Sequence, residues 1–128
     1  MSEEFGKRVR ELREAKKRTD PEFSLRRFAQ AVGVSATFLS RMENGDAPPP
    51  SAEKVIRIAK LLGEDGDELL ALAGKVDPEL PRIIRRRPRA MADLLRTARD
   101  EGLTEEEILE VTQGLRSRRR KKDGGSEG

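Results

Sequence analysis

Two helical patterns stand only two residues apart in the middle of the first half of this chain, and that spacing limits the fold more than any other feature. Ser24 is a good N-cap, and Leu25, Phe28, Ala29 and Val32 follow it at the spacing of one helix face before Gly33 ends the run. Ser35 can cap again at once, so a further helix from Ala36 to about Asn44 has to leave its predecessor at a steep angle. Ala29 places a small side chain where the two helices cross, and Gly33 supplies the positive φ that the turn needs. Gly45 and the run Asp46-Ala47-Pro48-Pro49-Pro50 close the second helix.

The flanking segments continue in the same short units. Phe5, Val9, Leu12 and Ala15 mark a first helix that the polar stretch Lys17 to Pro21 stops. Ser51 caps a fourth helix carrying Val55, Ile58, Ala59 and Leu62 up to Gly63, and Asp67 is expected to cap a fifth through Leu69, Leu70 and Ala73 to Gly74. Past Gly74, Pro78 and Pro88 suit the first turns of two more helices, the second with Met91, Leu94, Leu95 and Ala98 on one face. Thr104 and Glu107 form a capping box for a last helix bearing Ile108, Leu109, Val111 and Leu115. The basic run Arg116 to Lys122 and the Gly/Ser/Glu end have no apolar partners and are expected to be disordered. No strand pattern or internal repeat interrupts the series. The chain is therefore expected to be all-α, with a five-helix domain over residues 1–74, a helical dimerisation or partner region over 75–116, and a disordered tail over 117–128.

Composition narrows the chemistry. The 128 residues contain no Cys and no His, which removes thiolates, disulfides, imidazole bases and histidine metal sites. No glycine-rich phosphate loop is present, and Glu105-Glu106-Glu107 reads as a helix start rather than a cation site. Catalytic residues, metals and cofactors are not expected. The N-terminus alternates charge with isolated apolar residues, and no run is apolar enough for a signal peptide or a membrane span, so a cytoplasmic protein is expected. The net charge of +3 lies entirely in residues 75–128, since residues 1–74 hold 13 basic and 13 acidic side chains. Any polyanion bound by the first domain would need an uneven charge distribution, for which Arg26, Arg27, Arg41 and Lys54 are the candidates. The loop cations Lys16, Lys17 and Arg18 could border it.

Projected on a helical wheel, residues 36–44 separate into an apolar side of Phe38, Leu39 and Met42 and a short, mostly polar side of Ala36, Thr37, Ser40, Arg41 and Asn44. A helix entering a DNA major groove needs this division: apolar packing behind, small or hydrogen-bonding side chains in front. The segment LRRFAQAVGVSATFLSRMEN, residues 25–44, resembles the helix-turn-helix of the phage-repressor-like (Cro/C1, or XRE) regulators. Phe28, Ala29, Val32, Gly33, Val34, Leu39 and Met42 fall where that family places its apolar, small and turn residues, and Glu43-Asn44-Gly45 with Pro50-Ser51 resembles its closing signature. The resemblance covers about residues 5–74 and departs at Leu25, where the family usually has Gln.

The resemblance implies a lambda-repressor-like domain binding double-stranded DNA. The third helix would be the recognition helix, with Ala36, Thr37, Ser40 and Arg41 facing bases, Asn44 on phosphate, and Arg26, Arg27 and Ser35 alongside. It also implies a structural pair of Arg13 with Glu43, beside Ala29 and Gly33. A homodimeric repressor, nucleoid-associated, is the expectation. The alternatives are an antitoxin whose residues 75–128 clasp a toxin, or a stress or prophage switch controlled by a partner peptidase.

Overall fold

A computed structural model describes residues 2–125. Eight α-helices follow one another: α1 (Ser2–Lys17), α2 (Leu25–Val32), α3 (Ala36–Glu43), α4 (Ala52–Leu62), α5 (Gly66–Leu72), α6 (Glu79–Arg86), α7 (Pro88–Asp100) and α8 (Glu105–Gly125), with a 3-10 turn at Pro21–Phe23 and no strand among the described residues. The chain is all-α.

The chain divides into two compact units, one up to Arg82 and one from Ile83. In the first, α3 packs against α1 and α2, α4 packs on α5, and α1 also reaches α4 and α5. Phe5 and Val9 of α1, Phe28, Ala29 and Val32 of α2, Leu39 and Met42 of α3, Val55, Ile58, Ala59 and Leu62 of α4, and Leu69 and Leu70 of α5 make one interior, closed by Ala47. This is the aliphatic core that the apolar spacings call for, with Phe5 and Phe28 as its two fully buried rings.

Turn chemistry sets the angles between helices. Gly33 (φ 91°), Gly63 (φ 72°) and Gly74 (φ 70°) each end a helix in the left-handed conformation. At each, the following amide reaches back five residues: Val34 N–H to the Ala29 carbonyl, Glu64 N–H to Ala59, Lys75 N–H to Leu70, at 2.9–3.0 Å. The last of these keeps the chain just past Gly74 hydrogen-bonded onto α5. Between α1 and α2 the polar loop forms an ordered 3-10 turn, in which Asp20 Oδ1 accepts from Glu22 N–H (2.9 Å). Phe23 brings its ring centroid to 5.8 Å from that of Phe28, with the Lys16 ammonium over the Phe23 ring at 5.6 Å from its centroid.

Two expectations need correction. The cap of α5 is Asp65, whose Oδ1 accepts from Glu68 N–H at 3.0 Å; Asp67 lies inside the first turn, where its charge meets the positive end of the helix. The basic run is also helical: α8 carries the helix through Gly125 rather than dissolving after residue 116. Its start is capped, three Glu occupy its first turn, and Arg and Lys are good helix formers that favour its C-terminal end. The last part of the expected tail, residues 126–128, lies outside the described residues.

In the second unit Pro88 opens α7, and α8 begins with the expected capping box: Thr104 Oγ1 accepts from Glu107 N–H (3.1 Å) and Glu107 Oε1 from Thr104 N–H (2.9 Å). The Glu107 carboxyl is held below its ordinary value of 4.5, first by the Thr104 backbone N–H and then by its side chain. No residue of α6, α7 or α8 with a described side chain is buried.

Candidate nucleic-acid interface

α3 is held from behind and at both ends. Leu39 and Met42 are buried in the core, and Phe38 is half-buried against it. Ser35 Oγ accepts from Phe38 N–H at 3.0 Å, satisfying one of the amide donors that a helix start leaves open. Asn44 ends the helix, its N–H reaching the Ser40 carbonyl.

The far side of α3 is pinned to α1 by a buried ion pair. Arg13 Nε donates to Glu43 Oε2 at 2.7 Å and Nη2 to Glu43 Oε1 at 2.8 Å, a bidentate pairing in which the two residues are 3% and 6% exposed. Arg13 Nη1 donates to the Phe23 carbonyl (3.0 Å) and Nη2 also reaches Glu14 (3.2 Å), so one guanidinium ties together α1, the 3-10 turn and α3. The hydrogen bond to Glu43 foremost raises the Arg13 pKa above its ordinary value, against the opposing effect of burial and with further help from the charges of Glu43 and Glu14. A charge buried this deeply persists because its donors are matched.

Gly6 allows α1 and α3 to meet at all. A Cβ at residue 6 would stand 2.0 Å from the Met42 carbonyl oxygen, so the two helices touch backbone to backbone. Neither Gly6 nor Arg10, whose Nη1 donates to Asn44 Oδ1 at 3.3 Å, was among the sequence candidates. Gly6 did carry a signal: a glycine inside a helix costs about 1 kcal/mol against Ala and needs a packing reason. Arg10 carried none.

On the outward side, Thr37, Arg41 and Asn44 are exposed and Ser40 is half-exposed, all on one surface of α3. Ala36 is turned part-way inward and packs against the core. Arg41 Nη2 donates to the Asp46 carbonyl at 3.0 Å, which anchors its stem beside the loop after α3. Ser35, Arg26 and Arg27 stand at the starts of α3 and α2. Arg27 pairs with Glu22, whereas the Arg26 side chain is exposed and no side-chain hydrogen bond or ion pair holds it among the described residues. Leu25 packs on the core instead of projecting outward. Lys54, in α4, is half-buried beside Ser35, Phe38 and Ser51.

The first turns of α2 and α3 contain no acidic residue, although those of α1, α4 and α5 all do. The positive end of α3 thus has no acidic residue in its first turn, whereas Glu22, paired with Arg27, lies beside the start of α2.

The helix-turn-helix domain family matches residues 4–72, more than half of the chain. This chain belongs to that family. It is also similar to the uncharacterized HTH-type transcriptional regulator RghRB of Bacillus subtilis (strain 168), with 32% identity over 72 residues. That match covers 56% of this chain and 48% of the relative, so the chain spans about half the relative's length. No solved structure matches it. Within the helix-turn-helix, α2 and α3 are the two helices and Gly33-Val34-Ser35 the turn.

Proposed function

We propose that this protein is a sequence-specific transcriptional regulator that inserts α3 into the major groove of double-stranded DNA. The observation that carries this reading is the division of α3. Its back is locked by Leu39, Met42 and the Glu43–Arg13 pair, while Thr37, Ser40, Arg41 and Asn44 share its open face. The HTH-type regulator name of its relative points the same way.

In this reading Arg41 takes guanine or a phosphate, Thr37 offers its methyl group to thymine, and Asn44, Arg26, Arg27 and the Ser35 amide region position the backbone, while Ala36 packs inward. One such domain reads only a few base pairs, so a homodimer on a two-fold operator, half-sites about 34 Å or one turn apart, supplies the specificity a regulator needs. Repression follows from occluding polymerase.

The test is selection of duplexes from a random pool at near-physiological salt, where non-specific backbone binding is weakened. A two-fold-symmetric enriched motif is expected. Thr37→Ala with Arg41→Ala should abolish the enrichment, since one good base contact contributes about 1–3 kcal/mol of discrimination; unchanged selection by that variant overturns the assignment of α3.

The exposed apolar side chains of α7 and α8 favour one second reading, in which the C-terminal region clasps a different protein, such as a toxin or a controlling peptidase. Co-purification of a second chain in fixed ratio would favour it.

A further inference from the structure

α8 is 21 residues long, about 31 Å at the usual helical rise, and none of its described side chains is buried. Helices in water draw most of their stability from packing an apolar face, and α8 has such a face. Ile108, Val111 and Leu115 recur on one side with Thr112 between them, and Leu109 on the flank. The four aliphatic residues are 45–60% exposed.

Charge is divided along the same helix. Residues 105–110 contain Glu105, Glu106, Glu107 and Glu110 and no cation; residues 116–122 contain Arg116, Arg118, Arg119, Arg120, Lys121 and Lys122 and no anion. The apolar stripe spans residues 108–115, overlapping the end of the acidic segment and stopping where the basic one begins.

We infer that α8 pairs with the α8 of a second copy, antiparallel and crossing near residues 112–113, so that the acidic half of each lies along the basic half of the other. The pairing rests on the dimer reading above and supplies its seam and its direction. A two-fold axis through the stripe makes one patch complementary to itself, as an isologous interface requires. Parallel pairing would instead set Glu against Glu and Arg against Arg, which is unfavourable at helix-to-helix distances. A foreign helix of one charge sign would match only half of α8. With so few aliphatic residues per copy the seam falls below a standard permanent interface, so charge sets direction more than strength, and rising salt weakens the pairing.

The chain has no native Cys, so introduced ones report alone. In the full-length protein under mild oxidation, Thr112→Cys, close to the axis, should give a disulfide-linked dimer. Ile108→Cys should not link to itself, because antiparallel copies of residue 108 lie about 13 Å apart along the axis, beyond the roughly 7 Å Cα separation a disulfide spans. A mixture of Ile108→Cys and Leu115→Cys chains should link. Sedimentation of Arg118→Glu/Arg119→Glu/Arg120→Glu, with helicity checked by circular dichroism, should show dimerisation weakened by about tenfold or more.

Self-linking of Ile108→Cys as readily as Thr112→Cys overturns the antiparallel arrangement, and a chain that stays monomeric and unlinked overturns the pairing altogether. Duplex selection separates this from the DNA reading. A monomer that still enriches a motif removes the seam and keeps the DNA reading, while a linked dimer that enriches nothing keeps the seam and removes that reading.

Discussion

The two compact units are both made of helices that carry an apolar stripe, yet only the first has an interior. Fourteen apolar residues between Phe5 and Leu70 are buried, whereas every described side chain from Ile83 onward is at least partly exposed. Leu39 in α3 is 0% exposed; Leu109 in α8 is 60%. The difference is one of enclosure. Five helices set at angles by short turns can surround an apolar stripe on several sides, but α7 and α8 can offer each other at most one seam. Helical periodicity names the face to be buried and leaves open what buries it.

The sharpest way to break this comparison is to remove a group the first unit encloses. Glu43→Ala strands the Arg13 guanidinium and should cost about 3–5 kcal/mol in urea denaturation, while Arg13→Met with Glu43→Leu should cost much less, because no buried charge is then unpaired. A loss no greater in the single variant than in the double would show that the pair is not isolated from water.

Gly6→Ala comes next. Its methyl cannot fit against the Met42 carbonyl oxygen, and backbone on both sides limits relaxation, so a loss of about 3 kcal/mol is expected, with α3 displaced. Stability within 0.5 kcal/mol of the parent, an estimate of the range of harmless changes, would mean that α1 and α3 slide apart easily.

In the second unit the contrast predicts almost nothing: Leu94→Ala and Leu95→Ala should each change the unfolding free energy by less than about 0.5 kcal/mol in dilute protein. A larger effect would show that the apolar face of α7 is covered even in a single chain.

The smallest effect concerns the start of α8. Because the Glu107 carboxyl is depressed, its contribution is fully present above pH 4.5 and is lost as pH falls through the lower folded value. Amide protection factors at residues 104–108, taken relative to the intrinsic exchange rate at each pH, should fall below that pH, and Glu107→Gln should remove most of the dependence.

The parts of this fold that could be read from sequence are those with local chemistry. Ser24, Gly33, Ser35, Ser51, Gly63 and the Thr104–Glu107 box announce helix ends by their own hydrogen bonds, so α2, α3, α4 and α8 began where they were expected to begin. Asp65 and Asp67 compete two residues apart across a glycine, and nothing local decides between them. Helix through 116–123 was missed because it gains no burial, which leaves capping and propensity to hold it. The same limit applies at the candidate interface. The wheel separated the two sides of α3, but the inward turn of Ala36 and the reach of Arg10 to Asn44 depend on how α1 crosses α3, which no residue of α3 encodes.

The support for α3 lies almost wholly behind it, in a backbone contact at Gly6 and an ion pair reached from α1. Thr37, Ser40 and Arg41 contribute no side chain to the interior. Such a surface can be rewritten without disturbing what holds it. On the proposed DNA reading, exchanging these three positions gives a new target preference on an unchanged scaffold, so recognition and stability change independently.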